Sequence, residues 1–375
     1  MQIKIKPEYY DSFSCIADSC SFTCCQEWKI AVDDETLENW KQNNNENGRK
    51  LSDDVIIKDG EQVMKLNDEK RCPHLNSNGL CKLVLKYGEE ILSTTCDTFP
   101  RQIHEFENRT EYSLVSCCPE VIDIWKKTEK IKFLEDGKLD HYDILYAIRS
   151  LLIEIVQNTK FSVEKDLLIL FFSLLDIYGK ENMDEITLDK YSQEKFIQNI
   201  SDAIDGMQFS SYYTFEERNE LFLDLVDNYR KQEMYTDYLE PIALLAEEFS
   251  EDYEGKLSQN KLDEFNTWFA SHERLIRNFL VAEIFTNILI PDTDLKSMVV
   301  MAQWMAMEYA AIKHAIYLRW YLKGEDTLPY TTVRDYIIVV SRMTGYDQED
   351  IYEYLEDSFE NLIWDWGYFA LIIGR

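Results

Sequence analysis

From about residue 139 onward, apolar side chains return at steps of three and four. The stretches "HYDILYAIRSLLIEIVQ" (141–157), "VEKDLLILFFSLLDIY" (163–178) and "LDEFNTWFASHERLIRNFLVAEIFTNIL" (262–289) carry this period. So do "LKSMVVMAQWMAMEYAAIKHAIYLRWYL" (295–322) and "VRDYIIVVSRMTGY" (333–346). That spacing lines one face of an α-helix with apolar groups, so it predicts a helical bundle packed on large aromatics. The first third of the chain is less regular. "WKIAVDDETLENWKQ" (28–42) reads as a short strand followed by a helix capped by Asp33 or Asp34. "KLSDDVIIKDGEQVMKLND" (50–68) alternates around a turn at Gly60, as a hairpin does. "CKLVLKYGEEIL" (81–92) is helical in pattern and ends close to Cys96, and "CCPEVIDIWKK" (117–127) places Pro119 at a helix start. "QNNNENG" (42–48) reads as a loop. The expected fold is mainly α: an irregular cysteine-rich domain over residues 1–138, packed on an acidic all-helical domain over residues 139–375.

Composition agrees with this picture. Only 12 glycines and 7 prolines occur in 375 residues, which favours helices over many tight turns. The longest apolar run, "DLLILFFSLLD" (166–176), is bounded by aspartates and is far shorter than the ~20 residues that span a bilayer. The opening "MQIKIKPEYYDSF" shows no apolar secretory segment. A soluble, cytoplasmic protein is expected. The formal net charge is −31, of which residues 119–375 carry −24. Such a surface repels phosphate backbones and anionic lipid, so nucleic acid and membrane insertion are set aside. A lysine-bearing protein partner suits it, and so does a plain role in solubility.

The cysteines change the picture. All nine lie within the first 118 residues: Cys15, Cys20, Cys24, Cys25, Cys72, Cys81, Cys96, Cys117 and Cys118. Thiolates are good ligands for zinc and the usual ligands of iron–sulfur clusters. A reducing compartment disfavours structural disulfides, as does an odd count. Buried structural thiols are the other alternative, but they would not crowd into one third of the chain. The spacings match neither paired two-residue zinc loops nor a ferredoxin run, so the pattern indicates metal binding without choosing the metal. His74 and His104 stand among these cysteines as further ligand candidates. His141, His272 and His314 have no spaced partner and receive no role.

Three blocks resemble the flagellin lysine N-methylase family: "FSCIADSCSFTCCQEWKIAVDDET" (13–36), "RCPHLNSNGLCKLVLKYGEEILSTTCDTFPR" (71–101) and "SLVSCCPEV" (113–121). A fainter likeness continues in "ERLIRNFLVAEIF" (273–285). Parts of the first two blocks are also similar to a broader group of zinc- or iron-chelating cysteine proteins. The resemblance implies methyl transfer from S-adenosylmethionine to lysine side chains of flagellin, with a [4Fe–4S] cluster as cofactor. A non-enzymatic iron–sulfur or zinc protein that binds metal or carries electrons is the alternative, with zinc as the alternative metal. Carried over residue by residue, the family's cysteines fall on Cys15, Cys20, Cys24, Cys25, Cys72, Cys81, Cys96 and Cys118, which leaves Cys117 spare. Trp28, Asp33, Arg101 and Glu120 also match signature positions. A structural ion pair is the simplest expectation for Arg101.

No two glycines are spaced as Gly-x-Gly, which argues against a Rossmann-type donor loop. A donor pocket would then be unconventional, and the boundary between the cysteine domain and the bundle is the expected place. The sequence names no catalytic residue.

Overall fold

The structure is a computed structural model. It describes residues 2–58, 60–138, 143–180, 187–207, 210–324, 327–359 and 364–374. The chain is mainly helical, as the apolar period requires, with a small sheet in its first third. In chain order that third holds β1 (Ile3–Pro7), α1 (Asp34–Trp40), β2 (Val55–Lys58), β3 (Glu61–Met64) and α2 (Lys82–Tyr87). There follow α3 (Thr94–Thr98), β4 (Arg101–Glu105), β5 (Arg109–Leu114), α4 (Pro119–Lys127) and β6 (Phe133–Glu135). The hairpin β2–β3 forms where expected, with Val55 opposite Met64 and Gly60 at a φ of +83°. Pro119 opens α4, where its missing N–H costs nothing.

The sequence pattern gave no sign of the four-stranded sheet. Its order is β4-β5-β1-β6, with β1 parallel to β5 (Ile3 opposite Arg109) and antiparallel to β6. Glu111 on β5 is fully buried between two arginines. Arg109 Nε donates to it at 2.5 Å and Arg149 at 2.6 and 2.7 Å, while Arg149 also donates to the Phe285 carbonyl at 3.1 Å. This ion group fastens the sheet to the bundle.

The bundle runs through α5 (Ile144–Val156), α6 (Val163–Tyr178), α7 (Asp189–Ser192), α8 (Glu194–Asp205), α9 (Ser211–Lys231) and α10 (Thr236–Glu251). It continues through α11 (Tyr253–Lys256), α12 (Gln259–Phe269), α13 (Glu273–Glu283), α14 (Leu295–Leu322), α15 (Tyr330–Thr344), α16 (Gln348–Phe359) and α17 (Trp366–Ile373). The expected helices 163–178 and 295–322 match α6 and α14 end to end. Their side-chain caps are Ser162, which accepts from the Lys165 N–H, and Asp294, which accepts from the Ser297 N–H. Helix α14 is the axis of the bundle: nearly every side chain from Met298 to Leu318 is buried, and α6, α9, α10 and α15 surround it. The long apolar stripe at 262–289 is broken twice, by a 3-10 turn at Ala270–His272 and a π turn at Ile284–Ile288. Both changes keep apolar groups facing the core, so the period does not register them. His141 lies outside the described residues. Among the described residues, no helix is long and apolar enough to cross a membrane.

The main core is continuous from Ile5, Tyr9 and Trp125 to Phe279 and Met305 in the bundle. A second, small core gathers Ile30, Val32, Trp40, Leu51, Met64, Leu83 and Ile91 under the thiol-bearing loops. Asp33 holds this unit together. It caps α1 by accepting from the Thr36 N–H at 2.9 Å and accepts from the Thr94 N–H, also at 2.9 Å. Partial burial pushes its carboxyl up, but these hydrogen bonds outweigh that and hold it well below the usual range. Asp33→Ala removes both partners. It is expected to cost about 1–2 kcal/mol in urea unfolding at neutral pH, and the difference should shrink as the solution is acidified.

Candidate functional site

Seven of the nine cysteines fall into two groups. The first is Cys25, Cys72, Cys81 and Cys96. The Cys72 N–H donates to the Cys25 carbonyl at 2.8 Å, beside an antiparallel bridge that pairs Gln26 with Arg71. Leu75 pairs with Cys81, and Cys81 then starts α2. Cys96 sits in the first turn of α3, its N–H on the Ser93 hydroxyl. Left-handed residues shape the loops: Glu27 (φ +59°) and Lys70 (φ +57°) turn the chain beside Cys25 and Cys72, and Gly79 (φ +79°) turns it before Cys81. The thiolates of Cys72, Cys81 and Cys96 each feel the charge of Cys25. Burial is the largest effect on all three and pushes their thiols up, Cys96 to about 11. Cys25 moves the other way. The Cys24 S–H donates to it, and against the burial penalty the Thr23 hydroxyl, Arg342 and Arg71 favour its thiolate. Cys24 is raised by the same contact, so adjacent cysteines hold opposite roles.

The second group is Cys15, Cys20 and Cys118. Cys118 is pushed up by burial to about 11, against N–H donors from Val121 and Glu120 at the start of α4, and it feels both Cys20 and Cys15. Among the described residues, no three cysteine, histidine, aspartate or glutamate side chains converge tightly enough to hold one ion. His74 is buried in the small core, 3.5 Å from Asp54 and edge-on to Trp40. His104 lies on β4, 3.0 Å from the Thr286 carbonyl. Burial lowers the basicity of both.

Helix α15 fixes the "FTCCQ" loop from behind. Arg342 is buried and donates to the carbonyls of Phe22 (3.3 Å), Thr23 (3.2 Å), Gln26 (3.4 Å) and Cys117 (3.3 Å). Its guanidinium lies 4.6 Å from the Phe22 ring and 5.3 Å from Trp28. Four main-chain acceptors on one fork-shaped donor set the path of the loop. Arg334 adds a hydrogen bond to the Ser21 hydroxyl at 2.6 Å.

A cavity of about 540 Å³ opens between this thiol-bearing region and the bundle. Trp28, Phe99, Arg101 and Cys117 line one wall, and Glu283, Trp304, Glu308 and Tyr346 line the other. Trp28 connects the two features: its indole N–H donates to the Cys24 carbonyl and its ring meets Phe99 edge-on at 4.9 Å. Arg101 lies over the Phe13 ring at 5.1 Å, and among the described residues no carboxylate is within ion-pair distance of it, contrary to the expected structural pair. Cys117, spare in the sequence reading, is half-buried on the cavity wall and its thiol is pushed up to about 12, desolvation first.

The two glutamates set this cavity apart. The other buried carboxylates have cations: Asp54 has Arg49, Glu111 has Arg109 and Arg149, Glu164 has Lys313, and Asp166 has Arg277. Glu283 and Glu308 have none among the described residues. Thr344 donates its hydroxyl to Glu308 at 2.9 Å and Asn287 its amide to Glu283 at 2.5 Å. Burial raises both carboxyls, and the neighbouring Glu283 adds to the rise at Glu308. Two buried acids without cations, walled by aromatic rings, are complementary to a positively charged guest. Sequence reading missed Glu283, Glu308 and Arg342. The available signal was a single charge inside an almost wholly apolar helical run, as in "MVVMAQWMAMEYAAI" (298–312).

A family model described as the FliB lysine N-methylase C-terminal domain matches residues 149–372. The flagellar biosynthetic protein FliU of Salmonella muenchen is 32% identical over 127 residues, covering 31% of this chain and 72% of that protein. Two proteins named lysine-N-methylase, from Salmonella typhimurium and Salmonella choleraesuis, are each 31% identical over 127 residues, again 31% of this chain but 30% of theirs. The aligned part thus spans less than a third of either lysine-N-methylase. No solved structure matches the chain.

Proposed function

Because the chain belongs to the FliB lysine N-methylase family, we propose that it moves methyl groups from S-adenosylmethionine to lysine side chains of a flagellin in the cytoplasm, where its thiols stay reduced. One observation carries this reading: the cavity beside the thiol loop holds two buried acids with no cation among the described residues. Its volume lies within the ~300–1,000 Å³ of small-molecule sites. The donor is a sulfonium and the acceptor a lysine, so both partners bring positive charge. Glu283 and Glu308 offset charge inside, and the rings of Trp28, Trp304 and Tyr346 offer faces on which a cation rests. In the transfer the amine lone pair forms the N–CH3 bond as the S–CH3 bond breaks, and the pair of that bond stays on sulfur. The amine must shed its ammonium proton first, since its ordinary pKa is about 10.4.

The residues also suit a [4Fe–4S] cluster. A cluster spreads its thiolates over several irons, so it needs thiols around a space rather than at a point. Cys25, Cys72, Cys81 and Cys96 would hold it, with Cys25 the readiest thiolate. Such a cluster supplies a redox-active or Lewis-acidic iron centre. The chain's own contribution is separate: Arg342 and Trp28 tie the Cys24–Cys25 loop to the cavity wall, so order at the thiols becomes order at the cavity.

The test is anaerobic purification, metal and sulfide analysis, and incubation with S-adenosylmethionine and flagellin. Mass spectrometry is expected to show methyl increments on lysine. Donor-dependent methylation absent from protein with intact metal content would overturn the reading and leave a metal or electron carrier in its place.

A further inference from the structure

We propose that Glu308, paired with Glu283, is the group that takes the proton from the lysine amine before methyl transfer; this inference rests on the methylase reading above. The geometry supports it in three ways. Both carboxyls line the cavity, and both are buried, Glu308 being 6% exposed and Glu283 7%. Neither has a cation among the described residues, so neither charge is already spent. Both sit on fixed supports: Glu308 is in the middle of α14, the buried axis of the bundle, and Glu283 ends α13 where the π turn begins. π turns recur at functional sites because they re-aim side chains, and this one brings Asn287 back onto Glu283.

The proton balance closes. A lysine ammonium and the Glu308 carboxylate give a neutral amine and a carboxylic acid. The amine then takes the methyl group, becoming a secondary ammonium while the sulfonium becomes a neutral thioether. Glu308 returns its proton to water before the next round. The second carboxylate offsets the sulfonium charge, so two acids meet two cations.

The titratable and charged groups around this pair are few. They are Cys117 from the loop before α4, Tyr9 beside Glu283, Arg101 and His104 from β4, and Tyr346 and Asp347 just beyond α15. Burial pushes Cys117 up to about 12 and Tyr9 higher still, and lowers His104 below its ordinary 6.5. Glu308 is raised to about 8, first by burial and then by Glu283. A base with that value is poised at working pH.

The experiment is single-turnover methyl transfer to flagellin from pH 6 to 10, using anaerobically purified wild type, Glu308→Gln, Glu308→Asp and Glu283→Gln, with donor binding followed by calorimetry. Wild type should gain rate about tenfold per pH unit up to about 8 and then level off. Glu308→Gln should lose on the order of 10²–10⁴-fold and lack that limb, while still binding donor. Glu308→Asp should recover part of the rate and the limb. Glu283→Gln should move the limb to lower pH, because a like charge is gone. A Glu308→Gln enzyme with the wild-type rate and limb overturns the proposal and leaves the methylase reading standing, as does a Glu308→Asp enzyme with no limb. Wild type that methylates at no pH removes the methylase reading, and this inference with it.

Discussion

Replacing Cys25 by serine is expected to strip the anaerobically purified protein of most of its iron and sulfide and to abolish methyl transfer. Cys25 is the hub of its group: Cys72, Cys81 and Cys96 each feel its charge. It is also the member whose thiolate is favoured at neutral pH, first by the Cys24 S–H and then by Thr23, Arg342 and Arg71. A metal site binds thiolates rather than thiols, so losing the readiest one removes the anchor that the more basic three depend on. With a [4Fe–4S] cluster, iron should fall from about four per chain to under one. Cys117→Ser is the control. Cys117 lies on the cavity wall among acids, with its thiol pushed far up, so iron should stay at the wild-type level. Serine at Cys15, Cys20 or Cys118 tests the second group: wild-type iron in those variants places the metal on the first group alone. Iron and sulfide analysis with the absorption spectrum decides the matter. Full metal content in Cys25→Ser would remove Cys25 from the ligand set.

How much was legible depended on whether the signal was local. Helix α14 was legible end to end because 28 residues run apolar on nearly every face without glycine or proline. The hairpin β2–β3 was legible because its turn glycine sits between two alternating runs. The sheet was not. β1 is five residues long, and its partner β5 begins more than a hundred positions later, a pairing that no window of sequence contains. The cysteines were legible as a set, since composition alone isolates them. Their division was not, because Cys24 and Cys25 differ only by which sulfur donates to the other. Trp28 and Arg101 stood out as signature positions, and both line the cavity. Glu283 and Glu308 were invisible for the opposite reason. Each is flanked on both sides by residues that read as core, and only the fold shows that they line one space without a cation among the described residues.

The cavity should also show in the stability of the free protein. Glu308 has its carboxyl raised from 4.5 to about 8 in the folded chain, burial first and the Glu283 charge second. A raised carboxyl binds its proton more tightly folded than unfolded. Its contribution is therefore fully present below about pH 4.5 and is lost as pH rises through about 8. At 1.36 kcal/mol per unit, the loss across that window is about 5 kcal/mol, a large part of a typical domain's stability. Glu308→Gln keeps the shape and removes the titration. Urea unfolding should show wild type and variant drawing apart by about a kilocalorie for each pH unit between 5 and 8, with the variant the more stable at pH 8. Parallel profiles would mean that the carboxyl is not proton-linked to folding. A cationic guest provides the complementary test. S-adenosylmethionine added at pH 8 should restore part of the wild-type stability by pairing its sulfonium with the cavity charge, and should restore least in Glu283→Gln, which lacks the carboxylate that faces the sulfonium. An instability at alkaline pH that the donor relieves is what a protein would show if its buried acids were kept unpaired for a charged guest.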